Sequence, residues 1–210
     1  MPPPRTIIYI DGFNLYYGAV KGTQYKWLNL EAYFKLLRPS DNLIAIRYFT
    51  ALVNGPAKQH QEIYLRALAT LPLVEILLGK FKKKRVECTH PQCTLTTGRR
   101  FFECLEEKRT DVNIGICMLD DAYQDRCDQL VIVSGDSDLV PAALMVKNRF
   151  PTKRIIVYVP TNNPIRGYAV ELRSVAHKSR DLPLQLLSRC QFPAQIPDGS
   201  GGFLTKPATW

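Results

Sequence analysis

The chain has 210 residues, with 28 Lys and Arg against 19 Asp and Glu, and six Cys. That length suits one domain with an insertion or a tail, and 46% hydrophobic with 10% aromatic residues excludes wholesale disorder. The net charge of +9 points to a polyanionic partner, and no apolar run approaches the roughly 20 residues of a membrane span.

In chain order, Met1-Pro2-Pro3-Pro4-Arg5 leads into Ile7-Ile8-Tyr9-Ile10, a run that Asp11 cuts too short for a secretory segment. The expectation is a cytoplasmic protein whose cysteines are thiols or metal ligands rather than disulfides. Residues 6–10 predict a buried strand ended by Asp11-Gly12. A looser stretch with Tyr16, Tyr17, Tyr25 and Trp27 leads to a helix over 30–37, stopped before Pro39. Residues 43–52 predict a second strand. Ile63, Ala67, Leu68 and Leu71 set a helical spacing over 58–71, and 73–78 predicts a third strand closed by Gly79.

Residues 80–109 break this rhythm, with nine basic against four acidic side chains and little periodicity. Val112, Ile116, Leu119 and Tyr123 then fall on one face of a helix that Thr110 is placed to cap. A strand over 130–133, a helix to about 148, a strand over 154–159 and a helix over 165–177 follow. Strands alternating with helices predict an α/β fold with a parallel, doubly wound sheet. The domain is expected over 1–190, with the insertion at about 80–109, and 191–210 reads as a Gly- and Pro-rich tail ending on an unusual Trp210.

The charge is segregated: residues 110–138 hold seven acidic side chains and one basic, within an otherwise basic chain. Open parallel sheets bind ligands outside the carboxyl ends of their strands. Asp11 follows the first predicted strand, Asp136 and Asp138 follow the fourth, and Asp111 opens a helix where the dipole tolerates an anion. Carboxylates gathered in one cleft repel, and a divalent cation relieves the repulsion. Oxygen-only ligands favour Mg²⁺ or Mn²⁺. Singly, an Asp after a strand is more often a turn former or a helix cap than a ligand, Asp138 above all. Asp120, Asp121, Asp125 and Asp128 read as solvated.

Three motifs occur together: Tyr9-Ile10-Asp11-Gly12-Phe13-Asn14-Leu15, Glu107-Lys108-Arg109-Thr110-Asp111-Val112-Asn113, and Val133-Ser134-Gly135-Asp136-Ser137-Asp138-Leu139-Val140-Pro141. In this order they resemble the NYN domain family, in its LabA-like bacterial branch, over roughly residues 5–180. The resemblance implies a PIN-like three-layer fold and a metal-dependent nuclease centre. It matches Asp11, Asp111, Asp136 and Asp138 to the acidic ligands, Asn14 to a polar partner and Ser134 to a small hydroxyl position. It further implies RNA, single-stranded or structured, as substrate; related nucleases often dimerise. Lys108 and Arg109 are candidates for phosphate contact.

Within the insertion, Cys88, His90, Cys93 and Cys104 form a Cys₃His set that zinc accepts, although without the usual C-x₂-C pair. Idle thiols on a basic hairpin are the competing reading, and Cys117 reads as packing. The basic run 80–85 with Arg99, Arg100, Lys108 and Arg109 suits a phosphate backbone or a merely solvated face. Phe101, Phe102, Tyr16, Tyr17 and Trp27 are stacking candidates, although aromatics such as Phe101 and Phe102 are more often packing. Two alternatives to an endoribonuclease stay open: an RNA-binding module of the same fold with little turnover, and a phosphatase-like hydrolase. The latter is weakened because Asp11 is followed by Gly12-Phe13, with no second Asp at 13.

Overall fold

The computed structural model describes residues 2–90, 92–162 and 169–210. The chain runs through β1 (Arg5–Asp11), α1 (Gly12–Leu15), a π-helical turn (Tyr16–Val20), α2 (Leu30–Leu37), β2 (Asn42–Thr50), α3 (Lys58–Leu68) and β3 (Val74–Leu78). The insertion is β4 (Lys80–Glu87) and β5 (Phe101–Lys108). Then follow α4 (Thr110–Tyr123), β6 (Gln129–Val133), α5 (Val140–Arg149), β7 (Arg154–Val159), α6 (Val170–Val175), β8 (Lys178–Asp181), β9 (Gln195–Pro197) and β10 (Phe203–Thr205).

The central sheet has six parallel strands in the order β3-β2-β1-β6-β7-β8. Both faces are covered, which is why β1 reads as a continuous apolar run rather than an alternating one. Ile8 and Ile10 point into a core shared with Phe34 of α2 and Leu68 of α3, whereas Ile7 and Tyr9 meet Ile114 of α4 and Val146 of α5. The result is a three-layer α/β/α sandwich. Strand order reverses between β1 and β6, so the carboxyl ends of these two strands flank the crevice where such sheets place their ligands.

Three expectations about helix α4 change. Helix α4 presents Ile114, Met118, Asp121 and Ala122 to the core, while Val112, Ile116 and Tyr123 are 63%, 59% and 81% exposed. Both stripes have helical spacing; the buried one was masked by carrying an aspartate. Asp121 is fully buried, not solvated, because Tyr9 donates its hydroxyl at 2.6 Å and Arg47 and Arg126 pair with it at 2.6 and 2.9 Å. Thr110 does not cap α4 from outside: it lies in the first turn and donates its hydroxyl to Glu107, and Arg109 precedes the helix with a left-handed φ of 84°.

The segment expected as a tail packs on the core. Strands β9 and β10 form a hairpin that buries Ile196 and Leu204. Trp27 is fully buried against Phe192 and Trp210, with ring centroids at 5.5 and 6.3 Å, so it is a core side chain and not a stacking platform. The helix expected over 165–177 is described as Val170–Val175, its predicted start lying outside the described residues.

Candidate metal centre

Asp11 is the last residue of β1 and also caps α1: its Oδ1 accepts from the backbone N–H groups of Phe13 and Asn14 at 3.1 and 3.0 Å. The following Gly12 is required by close approach, since a Cβ there would lie 2.8 Å from the Tyr48 ring and hydroxyl. Asn14 ties the two sides of the crevice together. Its amide donates to Asp11 Oδ2 at 2.5 Å, and its Oδ1 accepts from the Gly135 N–H at 3.1 Å, beyond β6. Ser134 adds a hydroxyl donated to Asp11 Oδ2 at 3.2 Å and accepts from the Asp136 N–H at 3.1 Å.

The third side comes from α4. The left-handed turn at Arg109 directs the chain from β5 into the helix, and Ile114 and Met118 seat it on the sheet. Asp111 in its first turn thereby reaches the crevice. One carboxylate oxygen each from Asp11, Asp111 and Asp136 lies within 4.8 Å of the others. Burial, followed by the charges of Asp136, Asp11, Glu107 and Asp138, pushes the Asp111 carboxyl up to about 6. Burial also raises Asp11, although the hydrogen bonds from Asn14 and Ser134 oppose the shift and the Asp136 charge adds to it. Two carboxyls that resist ionising beside other charges, Asp11 and Asp111, are ones that a divalent cation stabilises. All three donors are hard oxygens, the set that Mg²⁺ or Mn²⁺ takes.

A family model, the NYN domain, matches residues 5–183. The chain belongs to the NYN domain family. This is a nuclease-type family whose nucleases are typically metal-dependent, and the parallel α/β/α sandwich is PIN-like. Over 99% of its length the chain is 34% identical to 6-hydroxy-3-succinoylpyridine 3-monooxygenase HspA of Pseudomonas putida (strain DSM 28022 / S16), covering 76% of that protein. Among solved structures it resembles a Vibrio parahaemolyticus RIMD 2210633 protein of unknown function, with a TM-score of 0.53 and 16% identity, over 86% of this chain and 93% of that one. At that identity the likeness shows the fold alone.

Of the NYN motif residues, Asp138 stands apart from the ligand group. It is exposed, its backbone N–H donates to Asp136 Oδ1 at 2.9 Å, and its charge reaches Asp111 only as the weakest cause of the shift. The Cys₃His set is not assembled either. Cys104 lies opposite Lys84 within the hairpin, whereas Cys88 pairs with Arg100 beyond its open end, and among the described residues the three aspartates alone form a possible ligand group.

Lys108 is paired with Glu106 at 2.8 Å, while the guanidinium of exposed Arg109 has no carboxylate partner among the described residues. Phe101 and Phe102 are exposed on β5, where Arg85 covers Phe101 at 4.3 Å. Two features escaped the sequence. Glu107 raises Asp111 by its charge. Tyr48, at the end of β2, turns its ring toward Gly12; a tyrosine near a strand's carboxyl end is the signal that marks it, but strand alternation alone assigns it to the core.

Proposed function

We propose that this NYN protein is a Mg²⁺- or Mn²⁺-dependent ribonuclease that hydrolyses RNA phosphodiester bonds. The observation that carries the reading is the convergence of Asp11, Asp111 and Asp136 on one point at the switch of strand order. The cation, when bound, supplies the positive charge that activates a water and stabilises the leaving oxygen. The chain's own part is positional. Asp11, Asp111 and Asp136 hold the charge, Asn14 and Ser134 fix the Asp11 carboxylate, Asp138 stands at the rim to orient water, and Arg109 meets a substrate phosphate. Purified protein is expected to cleave RNA with Mn²⁺ and to lose at least 100-fold in rate on Asp136→Asn. Equal cleavage by both proteins removes the assignment.

A second reading, hydroxylation of a substituted pyridine, is favoured by the 34% identity to HspA across nearly the whole chain. The donor set argues for the first: facial-triad iron sites use two imidazoles, and the ligand group here is three carboxylates. Incubation with 6-hydroxy-3-succinoylpyridine, O₂ and a reduced nicotinamide, beside the RNA assay, separates the two.

A further inference from the structure

A cavity of about 400 Å³ opens beside Gly12, between α1, the π-helical turn and α3. That volume falls in the roughly 300–1,000 Å³ range of small-ligand sites. Its walls are largely rings: Phe13, Tyr17, Tyr48, Tyr64 and Trp210. Tyr64 and Trp210 hold one another edge to face at 5.9 Å, and Tyr64 is anchored by donating to the Leu28 carbonyl at 2.9 Å. Tyr64 and Trp210 are therefore fixed rather than adaptable.

Two further observations point to an occupant. The Tyr48 side chain is more than nine-tenths buried and lines the cavity, yet its hydroxyl has no hydrogen-bond partner among the described residues. Lys21 and Lys26 also line the cavity and no acidic side chain does, so its charge suits an anion. The π-helical turn, a device common at functional sites, is what brings Tyr17 and Lys21 to the same rim, with the ammonium 4.7 Å from the ring centroid.

We propose that this cavity seats one unstacked nucleobase of the RNA, with Tyr48 donating to a ring nitrogen or carbonyl and the lysines meeting the flanking phosphate. The assignment rests on the ribonuclease reading, and Gly12 and Phe13 of the cavity wall directly follow Asp11 in the chain. Stacking on aromatic walls is tolerant of base identity, so purines and pyrimidines enter alike.

The test is calorimetric binding to the intact chain of adenosine 5′-monophosphate, ribose 5-phosphate, inorganic phosphate and 2-hydroxypyridine. Adenosine 5′-monophosphate is expected to bind at least tenfold more tightly than ribose 5-phosphate. Tyr17→Ala and Tyr48→Phe, checked for folding by circular dichroism, are expected to remove most of that advantage. Equal binding of the two phosphates by the unaltered chain overturns the proposal without needing either variant. Tighter binding of 2-hydroxypyridine than of the nucleotide overturns it in favour of a free heteroaromatic ligand. Mn²⁺-dependent cleavage together with equal binding of adenosine 5′-monophosphate and ribose 5-phosphate removes the seat and leaves the ribonuclease. Tighter binding of adenosine 5′-monophosphate than of ribose 5-phosphate without any cleavage removes the ribonuclease and leaves a nucleotide site.

Discussion

Asp11 performs three tasks with two oxygens: it ends β1, caps α1 and faces Asp136 across the crevice. Asn14 makes this possible, since its single amide grips both Asp11 and the Gly135 N–H. Asn14→Ala removes both bonds without touching a ligand. It is expected to weaken Mn²⁺ binding about 10- to 100-fold, as loss of an orienting partner does at other metal sites, measured by calorimetry. Asp111 gives a pH signature. Its folded value of about 6 lies above its ordinary 3.8, so protonation favours the folded state and relieves repulsion as pH falls from 7 toward 5. Metal-free wild type should therefore gain urea resistance relative to Asp111→Asn over that window. Metal competes with the same proton, so Mn²⁺ affinity is expected to fall by about tenfold per pH unit below 6.

Helix α4 links the site to the core through a polar contact. Asp121, ten residues along the helix from Asp111, holds Tyr9 of β1 and Arg47 of β2, and Arg126 closes the group from the following loop. Asp121→Ala leaves Arg47 without its buried partner. The expected cost is roughly 3–5 kcal/mol, read as a lowered urea midpoint, whereas Asp120→Ala on the exposed side should leave it nearly unchanged. The same contact explains what was hidden in the sequence. Apolar periodicity located the helix but selected the Val112–Ile116 stripe, because a buried aspartate lowers the apparent polarity contrast between faces. Strands β1, β2, β6 and β7 were legible because burial writes them as short apolar runs, and β3, although partly exposed at the sheet edge, because four of its five residues are apolar. Strand β8, Lys-Ser-Arg-Asp in sequence, was not: at the sheet edge its pairing is made by backbone alone. Trp210 and Ile196 show why the C-terminal segment misled, since single apolar anchors among Gly and Pro carry no period.

At the scale of the whole molecule, three aspartates from β1, the β6 loop and α4 could be nominated from sequence because strand ends are visible in it. Their convergence, and the separation of Asp138 from them, depended on chain geometry. The hairpin β4–β5 adds a basic arm whose foot packs Phe81 against Phe13, with ring centroids at 5.7 Å, next to Asp11. Its charge is less available than composition implies. Lys83 pairs with Glu103, and Lys84 and Lys108 pair with Glu106, while Lys80 and Lys82 have no carboxylate partner among the described residues. Paired lysines release few counterions on binding a phosphate backbone, and unpaired ones release about one each. The double variant Lys80→Ala, Lys82→Ala is therefore expected to weaken RNA binding and to lower the slope of log affinity against log salt by about two. Lys83→Ala should leave that slope within experimental error, because its loss frees Glu103 rather than removing a phosphate contact. Anisotropy titrations of one labelled oligoribonucleotide at four salt concentrations, with Asp136→Asn as the common background to prevent turnover, measure both slopes. Equal slopes for all three proteins would place the RNA elsewhere than on the arm, and would leave the carboxylate crevice and its cavity as the whole of the binding surface.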